Sequence, residues 1–195
     1  VLRERLSVVT SALLATLFSG VGLAAEQFGF DRAHTQVLFF VNHLGFSQSQ
    51  GEFHDYDGSF SFDPGDWADS KVEVTIRTAS LDMDDYAWDK HLRSDDFFDV
   101  NQYPEMTFRS TRVERTGEQS GIIAGDLTLL GVTKPVILDV TFNKAGVHPI
   151  SKKYVAGFSA RTVIKRSEFG MNYGLPMVGD DVHVRLEVEG HRVEK

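Results

Sequence analysis

Cysteine is absent from this chain of 195 residues. That excludes thiol nucleophiles, zinc ribbons, iron–sulfur ligation and a lipid anchor on an N-terminal cysteine, and any metal site would have to rest on histidine and carboxylate. Positive charge is in deficit too: 20 Lys and Arg stand against 28 Asp and Glu, giving a formal net charge of −8 and a pI of about 5.3. Nucleic acid is thereby argued against, since phosphate binding rests on a basic stripe and counterion release. An anionic bilayer would weakly repel such a surface. No GxSxG elbow, phosphate-cradling glycine loop or HExxH spacing occurs. Asp84, Asp85, Asp89, Asp95, Asp96 and Asp99 lack the alternating ligand spacing and terminal Glu of a calcium loop, and read as a solvated face. There is no internal repeat and no low-complexity tract.

What is present is an ordinary globular composition, 42% hydrophobic and 25% charged, for which one domain is the default. A domain of this size buries roughly 70% of the surface of its unfolded chain, so a core needs no disulfide or structural metal. The N-terminal stretch differs in kind. Arg3 and Arg5 precede an almost uncharged run from Leu6 to Leu23, and Gly22-Leu23-Ala24 supplies a small-x-small cleavage pattern. Residues 1–24 therefore read as a cleavable secretory signal, with the cut after Ala24 or Ala25. A retained membrane helix would need about 20 unbroken apolar residues, whereas Ser7, Thr10, Ser11, Thr16 and Ser19 interrupt this run. Losing Arg3, Glu4 and Arg5 takes the net charge from −8 to one unit more negative. The domain proper is residues 25–195, and export places it in an oxidising compartment.

Along that domain apolar residues recur at every second position over short runs. Val72, Val74 and Ile76 share one face of 71–77. Val136, Leu138, Val140 and Phe142 share one face of the next such run, and Val182, Val184, Leu186 and Val188 another. Further strands are expected over Val37 to His43, Met106 to Arg115, Ile122 to Leu130 and Tyr154 to Lys165. Asp57-Gly58 is a two-residue hairpin signal. Counting out from it, Phe53 opposes Phe62, and Phe53, Phe60 and Phe62 share a face on which Asp55 is an unexplained exception. About eight strands result, matching a small closed antiparallel barrel. One helical insertion breaks the pattern near residues 84–98. Asp82 and Asp84 stand at its start, Lys90, His91 and Arg93 in its last turn, Trp88 and Leu92 form a narrow apolar edge, and Asp89 and Arg93 are spaced i, i+4.

The seven histidines are scattered. His43 shares a strand face with Phe39 and Val41, where a satisfied core histidine is the plainer reading than a ligand. No catalytic residue and no metal ligand is assigned. The 15 phenylalanines fit either a filled aromatic core or the wall of a pocket, and composition alone does not choose. The inward residues that would line such a pocket are Phe39, Val41, His43, Phe53, Phe60, Phe62, Val74, Ile76, Phe108, Leu127, Leu129, Leu138, Val140, Phe142, Phe158 and Leu186. Asp89, His91 and Arg93 are candidates for headgroup or lid contacts.

Several ordered segments carry a resemblance. HLGFSQSQGEFHDYDGSFSFD from His43, DKHLRSDDFFDV from Asp89, YPEMTFRST from Tyr103, GDLTLLGVTKPVILDV from Gly125, GFSARTVIKRSEFGM from Gly157 and DDVHVRLEVEG near the end together resemble the YceI-like polyisoprenoid-binding family over essentially the whole domain. Trp88 departs from the pattern, because relatives often carry Arg at that position. The resemblance implies an all-β, eight-stranded, lipocalin-like barrel in the periplasm of a Gram-negative bacterium, holding a long isoprenoid such as a quinone tail or polyprenyl phosphate. It implies no cofactor beyond that bound lipid and no catalytic residues. The partners expected are the lipid and, transiently, a membrane; a homodimer is left open. Two rivals stand beside this reading: an enzyme acting on a lipid headgroup through His43, His91 or Asp89, and a structural or stress-related protein with a filled core.

Overall fold

A computed structural model describes residues 25–194; the expected signal segment, residues 1–24, lies outside the described residues. Alternating β-branched and aromatic residues make most of this chain strand. Its elements are β1 (Glu26–Phe30), β2 (Gln36–His43), β3 (Ser47–Phe53), β4 (Tyr56–Phe62), β5 (Lys71–Arg77), β6 (Leu81–Asp82), α1 (Tyr86–Leu92), β7 (Glu105–Arg115), β8 (Ser120–Leu129), β9 (Val132–Val147), β10 (Tyr154–Lys165) and β11 (Val178–Arg192).

These segments form eight long staves. β1 with β2, β3 with β4, and β5 with β6 are successive halves of three strands broken at residues 31–35, 54–55 and 78–80. β4 pairs with β1 and β5, while β3 pairs with β2 and β6. From β5 the order runs through β7, β8, β9, β10 and β11, and β11 returns to both β1 and β2. The sheet is thus a closed, up-and-down, antiparallel eight-stranded barrel, as the sequence pattern predicts.

The three breaks meet one another in space. Arg32 Nη2 donates to the carbonyl of Tyr56 at 2.7 Å, and the Tyr56 hydroxyl donates to that of Thr35 at 2.9 Å. Arg77 N–H reaches Asp55 O at 2.8 Å. Backbone groups that leave the ladder at the corners are thereby satisfied.

Side-chain alternation follows the predicted faces. On β9, Val136, Leu138 and Val140 are buried while Ile137, Asp139 and Thr141 are exposed. Outward positions carry ion pairs, Lys165 with Asp181 at 2.8 Å and Arg77 with Glu105. Apolar inside and charged outside is the reverse of a bilayer-spanning barrel.

The predicted hairpin at Asp57-Gly58 is corrected. Both residues lie inside β4, where Gly58 pairs with Val74 of β5, and Phe53 opposes Val37 rather than Phe62. Gly58 has φ +141°, and a Cβ there would stand 2.2 Å from the carbonyl oxygen of Glu73. The glycine serves a close approach of two strands instead of a turn. Asp55 also ceases to be an exception. It occupies the corner between β3 and β4, where alternation does not apply, and faces Arg32 at 3.3 Å.

The helical insertion is present but shorter than its signal, and its N-cap is Asp85, whose Oδ1 accepts from the backbone of Ala87 at 2.9 Å and Trp88 at 3.0 Å. Among the described residues no helix is long and apolar enough to cross a membrane.

Candidate functional site

Inward side chains from all eight staves enclose a cavity of about 660 Å³. The interior is therefore not filled by its own residues, which decides between the two readings of the phenylalanine excess. Its wall is aliphatic and aromatic through the middle: Val74, Phe108, Leu127, Leu138, Val140, Val184 and Leu186 all border the space. The inward residues Val182 to Val188 of β11 cover roughly 20 Å of strand at about 3.3 Å per residue. The space is long and suits a chain better than a compact ligand.

One end is closed by rings. Phe62 stands 5.8 Å from Trp67, 5.0 Å from Phe142 and 4.9 Å from Phe158, centroid to centroid, and Phe142 and Phe158 are 5.4 Å apart. Tilted and edge-on contacts of this kind add to the burial of the rings themselves. Trp67 comes from a short 3₁₀ turn, Trp67–Asp69, capped by Asp66. A Cβ at Gly121 would stand 2.5 Å from the Trp67 ring, so β8 needs a glycine there for the indole to lie against it.

The other end is crossed by α1. Ala87, Trp88, His91 and Leu92 border the cavity from above. Trp88 lies 5.7 Å from the His43 ring, and His91 is 5.1 Å from both Phe97 and Tyr173. Trp88, His91 and Tyr173 remain substantially exposed, so this end is the mouth.

The residues expected to line the interior all border the cavity except Phe142. That one is corrected: it points inward but is spent in the aromatic plug, behind Phe62 and Phe158. Of the three helix residues, His91 borders the cavity, whereas Asp89 and Arg93 do not. Asp89 accepts from Met83 N–H at 2.8 Å, and Arg93 Nε donates to Ala79 O at 3.0 Å, Arg93 Nη2 to Leu81 O and, at 3.2 Å, to Asp89. They fasten the helix to the β5–β6 corner.

Arg166, at the end of β10, escaped the sequence reading. It is 2% exposed and borders the cavity below α1. Its Nε donates to Gly179 O at 2.8 Å, Nη1 to Met171 O at 3.0 Å and Nη2 to Val178 O at 2.9 Å. Burial pulls its pKa below the usual guanidinium value, while Asp180 opposes the shift. Asp180 itself is held below the ordinary carboxylate range by the backbone N–H and hydroxyl of Ser167. The place of Arg166 two residues beyond Ile164, in step with the inward positions Phe158, Ala160, Thr162 and Ile164, was the available signal. Trp67 could have been found from Asp63-Pro64-Gly65-Asp66, a turn that folds the chain back over the barrel end.

At the cavity, among the described residues, the groups an acid–base site would need are not gathered. His43 packs on Trp88, His91 reaches Asp96 at 3.1 Å, and Asp89 is bound to Met83 and Arg93. Among the described residues, the donor set that could hold a metal lies outside the barrel, where Asp31, His34 and Glu189 place ligand atoms within 4.8 Å of one another. Asp31 also lies 2.8 Å from His34 Nδ1 and 3.2 Å from His191 Nε2. This cluster ties the corner after β1 to the outer face of β11.

Comparison with known proteins agrees with this architecture. The family model described as a YceI-like domain matches residues 28–190. The chain belongs to the YceI-like family. A UPF0312 protein of Ectopseudomonas mendocina is 41% identical over 180 residues, covering 91% of this chain and 93% of that one. The crystal structure of the Campylobacter jejuni YceI protein superposes with a TM-score of 0.72 at 30% identity, covering 95% of this chain and all (100%) of that chain. A polyisoprenoid binding domain from Saccharophagus degradans, at 14% identity, shares the fold with a TM-score of 0.62 over 87% of this chain and 99% of that one. In this YceI-like barrel, then, the hollow interior and the helix across its mouth are the features on which function has to be built.

Proposed function

We propose that this protein is a binding protein and carrier for a long-chain isoprenoid lipid, working in the periplasm of a Gram-negative bacterium after export directed by residues 1–24. The observation that carries the reading is the cavity of about 660 Å³, long, apolar, plugged at one end and open at the other. The name of the Saccharophagus degradans domain supports an isoprenoid as the ligand class. Scattered acid–base groups support binding over chemistry.

The energetics suit exchange. Burying about 600 Å² of prenyl chain at roughly 25 cal/mol per Å² favours the cavity over water by about 15 kcal/mol, before the association penalty. Against a bilayer the balance is different, because both environments are apolar and net transfer lies near zero. A carrier that loads from and releases to a membrane needs that balance.

The test is uptake of a fluorescent prenyl probe by delipidated, folded protein, with native mass spectrometry of gently purified protein for the resident ligand. Saturable uptake of one chain per barrel is expected. Folded protein that takes up no probe and carries no lipid sinks the proposal.

A further inference from the structure

The exposed aromatic residues of the described chain gather at one place. Phe46, Tyr86, Trp88 and Tyr173 are its large exposed rings, and the exposed residues Leu44 and Met177 join them. Three separate segments bring them to the mouth. Phe46 ends the turn after His43, the Leu44 N–H donates to Met177 O at 2.9 Å, Trp88 packs on His43, and Tyr173 packs on His91. Large exposed hydrophobics elsewhere on the barrel, such as Ile137 and Val163, are aliphatic.

Phe46 and Tyr86 are 89% and 82% exposed, and neither borders the cavity. Internal packing therefore does not account for them. Tryptophan and tyrosine concentrate at membrane–water interfaces, where a ring rests among headgroups with its polar edge wet. The rim is also continuous with the cavity, because Trp88 and Tyr173 belong to both. Whatever covers the rim becomes the exit of the tail, and the hydrocarbon of a bilayer lets an apolar chain pass without meeting water. Charge narrows the choice. Residues 82–99 hold seven aspartates against Lys90 and Arg93, so anionic headgroups are repelled at short range.

We infer that the mouth rim docks on a neutral, zwitterionic bilayer surface, with Phe46, Tyr86, Trp88 and Tyr173 among the headgroups and the cavity opening directly against acyl chains. The inference rests on the reading of the cavity as a lipid site, which it extends by naming the surface through which lipid passes.

The experiment is co-flotation of the delipidated protein with phosphatidylcholine vesicles and with vesicles rich in phosphatidylglycerol. It is run for the natural chain and for Phe46→Ser/Tyr86→Ser, alongside equilibrium binding of a prenyl probe in solution. The natural chain floats with phosphatidylcholine vesicles and less with anionic ones at low salt. The double variant loses about ten-fold or more of its vesicle partition while its probe affinity stays within about two-fold, because neither ring touches the cavity. Equal flotation of variant and natural chain overturns the inference, as does tighter binding to the anionic vesicles. A dimer that the double variant dissolves, with no flotation, overturns it too and assigns the rim to a second copy. Intact flotation with no probe uptake upholds the docking surface and removes the lipid-carrier reading instead.

Discussion

The two ends of this barrel use aromatic rings for opposite purposes. At the closed end Phe62 and Phe142 each pack on one another, on Trp67 and on Phe158, at 4.9–6.1 Å between centroids, and a glycine is placed so that an indole fits. At the mouth the rings of Trp88 and Tyr173 stay half-exposed, Trp88 on His43 and Tyr173 on His91 and Phe97, and hydrogen bonds add to the local order: three from Arg166 to carbonyls, and those of Asp89 and Arg93 holding α1. Rings that pack against rings gain apolar burial and keep the end shut.

The contrast is broken most severely at the plug. Phe62→Ala should destabilise the protein by about 3–5 kcal/mol, read from urea unfolding; a loss below about 1 kcal/mol would show that the closed end is not packed as described. Next in size, Arg166→Met leaves the carbonyls of Gly179, Met171 and Val178 without their donor and should cost about 2–4 kcal/mol in the same assay. Lysine at this position should not restore it, because an ammonium cannot reproduce the guanidinium fork.

Leu138→Trp sharpens the comparison from between the ends. In a packed core so large an insertion costs about 1–3 kcal/mol. Here the ring enters empty space, so stability should change little while affinity for a prenyl probe falls about ten-fold or more, the equivalent of at least about 1.4 kcal/mol. Strong destabilisation would argue that the interior is solid.

A smaller effect is expected at the lid. Asp89→Ala removes the acceptor for the Met83 N–H and the partner of Arg93, for about 1 kcal/mol of stability, and should speed probe release. Unchanged release kinetics would argue against α1 acting as a lid.

The smallest effect concerns the corner after β1. Burial opposes ionisation of Asp31, but its hydrogen bonds from His34 and Ala33 and the nearby His191 outweigh this and lower its pKa. His34 is raised by its hydrogen bond to Asp31 and by the charge of that carboxylate. The lowered Asp stabilises the fold above its unfolded pKa and loses that contribution as pH falls through the folded value. For the raised His the contribution is complete below its unfolded pKa and is lost as pH rises through the folded one. Both act together between about pH 4 and 6.5. Asp31→Asn should therefore lower Tm slightly more at about pH 5.5 than at about pH 9, and an equal shift at both would remove the pairing from the account.

Much of the barrel was legible in the residues because period-two alternation is a local property. β10 spans Tyr154–Lys165, the same residues that alternation marks, and the faces of β5, β9 and β11 follow it residue by residue. The part of the cavity wall that was legible was so for the same reason: in a closed barrel, inward-facing and interior are one condition. Phe142 was misplaced because alternation gives the face of a residue but not its height in the barrel. Asp57-Gly58 misled because glycine marks a need for space, and a turn and a close strand approach share that need. Asp89 and Arg93 were legible as an i, i+4 pair, but their reach to Ala79, Leu81 and Met83 depends on how the helix lies against the corner.

By itself, then, the sequence determined which side chains face inward, where α1 interrupts the strands, and that neither thiol chemistry nor a disulfide takes part. Only the tertiary structure decided that the first three staves are bent, that Trp67 and Phe142 seal one end, that Arg166 holds the other, and that a hollow remains between them. The division has a physical cause: alternation and capping depend on neighbours in the chain, whereas closure and emptiness depend on how eight strands share one volume.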